Sequence, residues 1–157
     1  SGESGKDVSG AKNHYKTTGV VTNLVKDTGE LRALISEALE DMCDVVGETE
    51  DDPNRVCEDL TSSSSVKAVL ASAFDEGSVL ELRGGIAPEA VTAFAKLNGI
   101  TAAVVGVSGK LTALGAAKIT DFLNTADNAG VPVVNLVACT GTAACAAEET
   151  GALIRNV

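Results

Sequence analysis

An α/β layer fold is what this sequence predicts, and three observations carry the prediction. Hydrophobic residues make up 45% of the chain but aromatic residues only 3%, so a core must be assembled from Ala, Val, Leu and Ile. Such side chains suit helices laid on a sheet better than a barrel that needs large residues to fill it. From Ser65 onward the patterning reads helix, strand, strand, strand, helix, strand, helix, with no internal repeat. At its centre lies Val79–Gly99, VLELRGGIAPEAVTAFAKLNG, which leads into the apolar run Ile100–Val107. Asn98-Gly99 between two strand-like runs is the strongest short hairpin signal a single sequence offers. At 157 residues the chain is one domain or a piece of a larger one, long enough to bury a real core.

Taken in order, Ser1–Gly19 is rich in glycine and serine and reads as loop or a disordered start, and Gly19–Val25 as a short strand. Asp27-x-x-Glu30 has capping-box spacing. Leu31, Leu34, Ile35, Ala38, Leu39, Met42 and Val46 recur at helical spacing, so Gly29–Val46 is expected to be an amphipathic helix with one buried stripe. Gly47–Ser64 holds the acidic block Glu48–Asp52, Pro53 and a serine run, and reads as a connecting segment. Ser65–Phe74 is a second helix with Val66, Val69, Leu70 and Ala73 on one face. Lys110–Leu114 reads as a turn or short strand. Gly115–Ala129 is a helix burying Ile119, Phe122, Leu123 and Ala126, closed by Gly130 where left-handed geometry favours glycine. Val131–Ala138 reads as a central strand apolar on both faces, as a parallel strand covered by helices should be. Cys139–Ala143 is the loop at its carboxyl end, and a last helix follows from about Ala144.

Composition excludes several classes of function. The formal charge is −10, which disfavours nucleic acid as a partner, although part of that charge is the solvated acidic block. Four cysteines lack any Cys-x-x-Cys pair and only one histidine is present, so a metal site has poor material. Nothing resembles a signal peptide and no apolar run approaches a membrane span. Reduced thiols in a cytoplasmic protein are expected, with a Cys139–Cys145 bridge as the alternative.

Chemistry is sparse when read from residues alone. A buried strand ending in Thr140-Gly141-Thr142 before a helix is a usual place for an α/β ligand site, where backbone amides point at an anion. Gly141 as a simple sharp turn is the plainer alternative. His14 in a glycine-rich loop reads as a surface residue, and Cys139 as a small buried hydrophobe without an evident base. Glu148 and Glu149 are helix neighbours and diverge. Gly106-x-x-Gly109-Lys110 lacks the Walker spacing.

Several separated segments nevertheless share order and spacing with one family. Ser9-Gly10-Ala11-Lys12-Asn13-His14 followed by Thr18-Gly19-Val20 stands where that family has Gly-Gly-Ala-x-x-His and Ser-Gly-Val. Val66–Gly77 is similar to the helix entering its second half. Glu81, Ala87, Val91, Phe94, Ala95, Asn98 and Gly99 fall in register on a strand pair ending Phe-Ala-Arg-Met-Asn-Gly. Lys118, Phe122, Asp127, Val131 and Pro132 match the following helix and strand, and Glu149, Gly151, Ile154 and Arg155 a Glu-x-Gly-x-x-Ile-Arg-His pattern. On these residues the chain resembles the carboxyltransferase subunit of biotin-dependent acyl-CoA carboxylases and related acyl-CoA decarboxylases, over roughly the middle third of a full subunit.

That resemblance implies a partial ClpP/crotonase-like ββα superhelix preceded by an amphipathic helix and an acidic linker. Residues 1–26 would end the first half, 27–64 connect, and 65–157 begin the second. It implies carboxylate transfer between carboxybiotin on a carrier domain and an acyl-CoA, with developing oxyanions held by backbone amides. Gly141 and Thr142, in the place of the family's Asp-x-Pro-Gly-Phe loop, would supply one amide donor; Gly10, Ala11, His14, Gly106 and Ser108 would bind substrate; no metal is implied. Implied partners are the acyl-CoA, a biotin carboxyl carrier, the remaining parts of the subunit and further copies of the chain, with neither nucleic acid nor membrane insertion. The loop lacks the family's acid and proline, Gly106–Leu111 is about five residues short, and the chain stops before the second oxyanion donor. Inactivity alone is therefore expected. The alternative is a non-catalytic assembly or binding module of the same fold; an unrelated Rossmann-like domain is disfavoured by the Asn98-Gly99 hairpin.

Overall fold

Four strands form one mixed sheet in the order β1-β2-β3-β4, seen in a computed structural model that describes residues 10–43, 46–47, 49, 51–52, 54 and 65–142. The strands are β1 (Leu80–Leu82), β2 (Ala90–Leu97), β3 (Ile100–Leu111) and β4 (Val133–Thr142). The first three pair antiparallel, and β4 returns parallel to β3. Four helices accompany them: α1 (Ala11–Thr17), α2 (Thr28–Cys43), α3 (Val66–Ala73) and α4 (Ala113–Ala129).

The β2–β3 hairpin forms as expected, pairing Leu97 with Ile100 across the turn. Asn98 and Gly99 both take positive φ, 51° and 77°, which the favoured two-residue hairpin turn requires. Asp75 locks that turn from outside. Its Oδ1 accepts the Asn98 amide and its Oδ2 the Gly99 amide, each at 2.8 Å, while its own amide donates to the Lys96 carbonyl.

Strand alternation sends two sets of side chains to opposite faces. Phe94, Ala103, Val105 and Val107 pack under α4 against Ile119, Phe122 and Ala126. The rings of Phe94 and Phe122 lie 5.2 Å apart, tilted at 56°, within the range where aromatic pairs attract. On the other face Val91, Ala95, Ala102 and Val104 meet Val66 and Leu70 of α3 and Phe74 just after it. This is the aliphatic two-layer core that the composition requires. Helix α3 opens on Ser65, whose side chain accepts the Ala68 amide, and α4 on Thr112, which accepts the Gly115 amide. Gly130 ends α4 at φ 68°.

Four local expectations are corrected. Residues 11–17 form a helix, not a loop: α1 buries no residue of its own stripe, and its tertiary seat was invisible to a search for periodicity. Residues 19–25 form no strand; they run beside β1 with only isolated bonds, Arg83 amide to Thr22 carbonyl and Asn23 Nδ2 to Glu81 carbonyl. The stretch Lys110–Leu114 divides, since β3 continues to Leu111 and α4 begins at Ala113. Finally, β4 is the edge of the described sheet rather than a central strand, and Val137 is 72% exposed. The expected closing helix, with Cys145, and most of the acidic connection lie outside the described residues.

Helix α2 departs most from its expected packing. Asp27 caps it, accepting the Gly29 and Glu30 amides, and Glu30 reaches back to the Lys26 amide. Met42 joins the α4-side core, but Leu31, Ile35 and Leu39 are 41%, 48% and 52% exposed. Leu31, Leu34 and Ile35 instead line a groove of about 440 Å³ whose far wall includes Leu82, Phe94 and Phe122. The amphipathic period was real, but among the described residues only one flank of the helix meets a neighbour.

The most buried residue of α2 is an acid. Asp41 is 1% exposed, Lys96 Nζ lies 3.7 Å from its Oδ1, and its Oδ2 has no hydrogen-bond partner among the described residues. Burial pushes the Asp41 carboxyl up from the usual carboxylate range, with Lys96 opposing and Glu40 reinforcing the shift. A carboxyl whose folded-state pKa is raised binds its proton more tightly in the folded protein. Its stabilising contribution is full below the unfolded pKa of about 3.8 and is lost as pH rises through the folded value. Asp41→Asn is therefore expected to be no less stable than wild type at neutral pH. Wild type should gain on the variant as the pH is lowered towards about 4. Urea midpoints of both proteins across that range check the sign.

Candidate functional site

The carboxyl ends of the parallel strands β3 and β4 meet at one end of the sheet, where α/β folds most often place ligands. Ser108 pairs with Ala138, Gly109 with Cys139, Lys110 with Gly141 and Leu111 with Thr142. Thr140 is thereby skipped, and the ladder is irregular between Gly109 and Lys110.

Gly141 and Thr142 are thus the last residues of a strand, which corrects the expected loop over Cys139–Ala143. The cause lies in β3, which runs on through Ser108-Gly109-Lys110 and offers β4 a partner to its end. Successive amides of a strand point to opposite sides, so of two neighbours only one faces away from β3. Gly141 has φ 144°, and a Cβ built there would meet nothing within 4 Å.

A second wall is the loop between β1 and β2, residues 83–89. Arg83 and Ala87 sit at φ 55° and 44°, each a left-handed conformation costing roughly 1 kcal/mol for a side-chain-bearing residue. The Glu89 carbonyl accepts the Ser108 amide at 2.9 Å, and its carboxylate accepts the Thr112 hydroxyl. Helix α1 sits directly on this loop. A Cβ on Gly85 would overlap the Tyr15 ring and lie 2.6 Å from the Tyr15 carbonyl oxygen; glycine is required for so close an approach. Ile86 packs against Gly19 in the same way.

Most of the candidates lie on elements that meet the loop at residues 83–89 or the end of β3, and one does not. Gly10, the residue before α1, Ala11 and His14 ride on the helix seated at Gly85; Ser108 is bonded to the same loop; Gly141 and Thr142 lie beside the end of β3. His14 Nδ1 lies 3.1 Å from the Thr18 hydroxyl, one turn along α1. Gly106 faces the other layer: a Cβ there would collide with the Val66 side chain of α3. Its lack of a side chain is accounted for by helix packing.

Sequence reasoning matched Lys118 to the family's helix but gave it no role; it is 2% exposed within the α4 core. Its Nζ donates to the carbonyls of Ile86 and Ala90 at 3.1 and 2.7 Å, and burial pulls its pKa below the usual lysine range. The signal was present, since Lys118 falls at the spacing of the buried stripe Gly115, Ile119, Phe122. Among the described residues no three His, Cys, Asp or Glu gather as a metal site, and no helix is long and apolar enough to cross a membrane.

A hairpin-led sheet with a helix on each face, and a backbone-lined end where parallel strands finish, defines a mixed α/β module of the crotonase type, present in part. The model of the carboxyl transferase domain family matches residues 3–157, and the chain belongs to that family. Methylmalonyl-CoA carboxyltransferase 12S subunit of Propionibacterium freudenreichii subsp. shermanii is 34% identical over 96 residues, which are 58% of this chain and 18% of that protein. The crystal structure of transcarboxylase 12S with hydrolysed methylmalonyl-coenzyme A bound superposes with a TM-score of 0.81 at 25% identity, covering 99% of this chain and 34% of that one. A single-chain, multi-domain long-chain acyl-CoA carboxylase superposes at 0.74 and 25% identity, covering 92% of this chain and 16% of that one. The chain thus spans about a third of the 12S chain.

Proposed function

We propose that this chain is the middle portion of a biotin-dependent carboxyltransferase that moves carboxylate between carboxybiotin and an acyl-CoA, and that it is inactive by itself. The observation that carries the reading is the family match through residues 3–157. In this reading 1–26 close the first half, 27–64 connect, and 65–157 open the second. The seat of α1 on residues 83–89 is then the joint between halves.

The chemistry follows from the kind of groups gathered at the sheet end. Moving a carboxylate off or onto a thioester's α-carbon builds negative charge on the thioester oxygen, and the same charge develops on the ureido oxygen of biotin. Fixed backbone dipoles stabilise such charge without reorganising. One amide of the Gly141–Thr142 pair, on backbone that carries no Cβ at Gly141, is the donor assigned to this chain. Ser108 and the residues at the start of α1 (Gly10, Ala11, His14) would orient the substrates, and biotin on its carrier would accept the carboxylate from the acyl-CoA or, as carboxybiotin, give it up. Gly106 supports this wall from within the helix interface rather than by touching substrate. The second donor must come from the rest of the subunit, so transfer requires assembly.

The open apolar flank of α2 favours one further reading, a non-catalytic module whose role is to hold the complex together. Calorimetric titration of methylmalonyl-CoA separates the two. The chain combined with the remaining subunit portions is expected to bind and to transfer carboxylate to free biotin, and the chain alone to do neither. A combined assembly that forms but binds no acyl-CoA would leave the assembly role standing.

A further inference from the structure

We propose that Lys118 is a positioning residue, which clamps the loop at residues 83–89 so that it seats α1 on one side and the end of β3 on the other. The inference rests on reading α1 and Ser108 as substrate-binding.

A lysine in an aliphatic core is costly to bury, and a methionine or leucine would fill the same space beside Ile119 and Phe122. What only the amine supplies is two hydrogen bonds, to the carbonyls of Ile86 and Ala90. These carbonyls bracket the stretch containing Ala87, one of the two left-handed residues of the loop. A loop in unfavoured backbone geometry persists when its surroundings over-determine it, and here the ammonium ties it to the rigid α4. Arg83 also reaches α4 through its ion pair with Asp121 at 2.7 Å, on the outer side of the helix; the loop's remaining outward contacts bear on the candidate site. Gly85 and Ile86 receive Tyr15 and Gly19, the Arg83 amide holds the Thr22 carbonyl, and Glu89 holds the Ser108 amide and the Thr112 hydroxyl. Lys118 touches none of the candidate substrate-binding residues; it acts through the loop.

The test uses the complete enzyme containing this chain, with Lys118→Met as the variant and Lys118→Gln, which keeps an N–H donor, where the first does not fold. Hydrogen exchange is expected to quicken at least tenfold at the Arg83 and Ser108 amides and over 10–22, while the β2–β3 pairing keeps its protection. In carboxyl transfer between methylmalonyl-CoA and free biotin, KM for at least one substrate should rise tenfold or more. A merely structural role would lower kcat through a smaller active fraction and leave both KM values unchanged. Exchange that is unaltered, or that quickens evenly across the sheet, overturns the clamp, and so does an unchanged pair of KM values. If wild-type enzyme transfers no carboxylate, the functional reading fails, and the exchange pattern alone decides whether Lys118 holds the loop.

Discussion

Asp75→Ala is expected to cost the domain about 3 kcal/mol, because it removes two charge-assisted hydrogen bonds and leaves backbone donors unpaired. Both carboxylate oxygens are engaged at 2.8 Å, one by Asn98 and one by Gly99, and Asp75 is 9% exposed. The turn they hold sets the register of β2 against β3, and through β3 that of β4. Asp75→Asn should lose about half as much, since its amide keeps one acceptor oxygen but turns a donor towards the other N–H. Urea denaturation reads both values. Equal losses for the two variants would show that the carboxylate is not what holds the turn.

Gly106→Ala is expected to destabilise by about 2–3 kcal/mol, at the upper end of overpacking costs. The added methyl would fall on the Val66 side chain, a β-branched residue with little rotamer freedom, and Val66 Cβ itself is only 3.2 Å away. Either α3 lifts from the sheet or β3 bends. In a Val66→Ala background the added methyl should cost almost nothing further, so the two changes are strongly non-additive, with a coupling of about 2–3 kcal/mol. If Gly106→Ala instead keeps full stability while the assembled enzyme loses acyl-CoA binding, Gly106 belongs to the ligand site and not to the helix interface.

The hairpin, α3 and α4 were legible because their signals are local. Asn98-Gly99 fixes a turn by backbone preference, Ser65 and the 3.6-residue stripe define α3, and Gly130 terminates α4. What misled was anything decided by neighbours. Gly19–Val25 has the composition of a strand, but strand status needs a continuous ladder, and the chain there makes only isolated bonds to β1. Lys110–Leu114 reads as a turn or short strand, yet parallel pairing with β4 carries the long strand β3 on to Leu111. Val131–Ala138 is apolar on both faces, and periodicity cannot say whether a strand has a neighbour on each side.

The candidate site was legible in a different sense. No titratable pair marked it, because backbone amides leave no trace in residue type; the strand end at Gly141 stood out as a possible ligand site, with a simple turn the plainer reading, and the other residues were singled out by family spacing. The buried polar groups that shape its surroundings went unread for the opposite reason. Asp75 directly follows the expected helix Ser65–Phe74, Asp41 lies on an amphipathic helix and Lys118 beside core positions, where a charged residue looks like a solvated face. Only the fold turns them inward.

The seat of α1 has one more consequence. The chain has a single tyrosine and no tryptophan, and that tyrosine, Tyr15, rests on Gly85 at the contact between α1 and the loop. Nearly all of its ultraviolet fluorescence therefore originates at one joint. Without any label, the emission of this polypeptide reports whether that joint is closed, while circular dichroism reports the helices and sheet behind it.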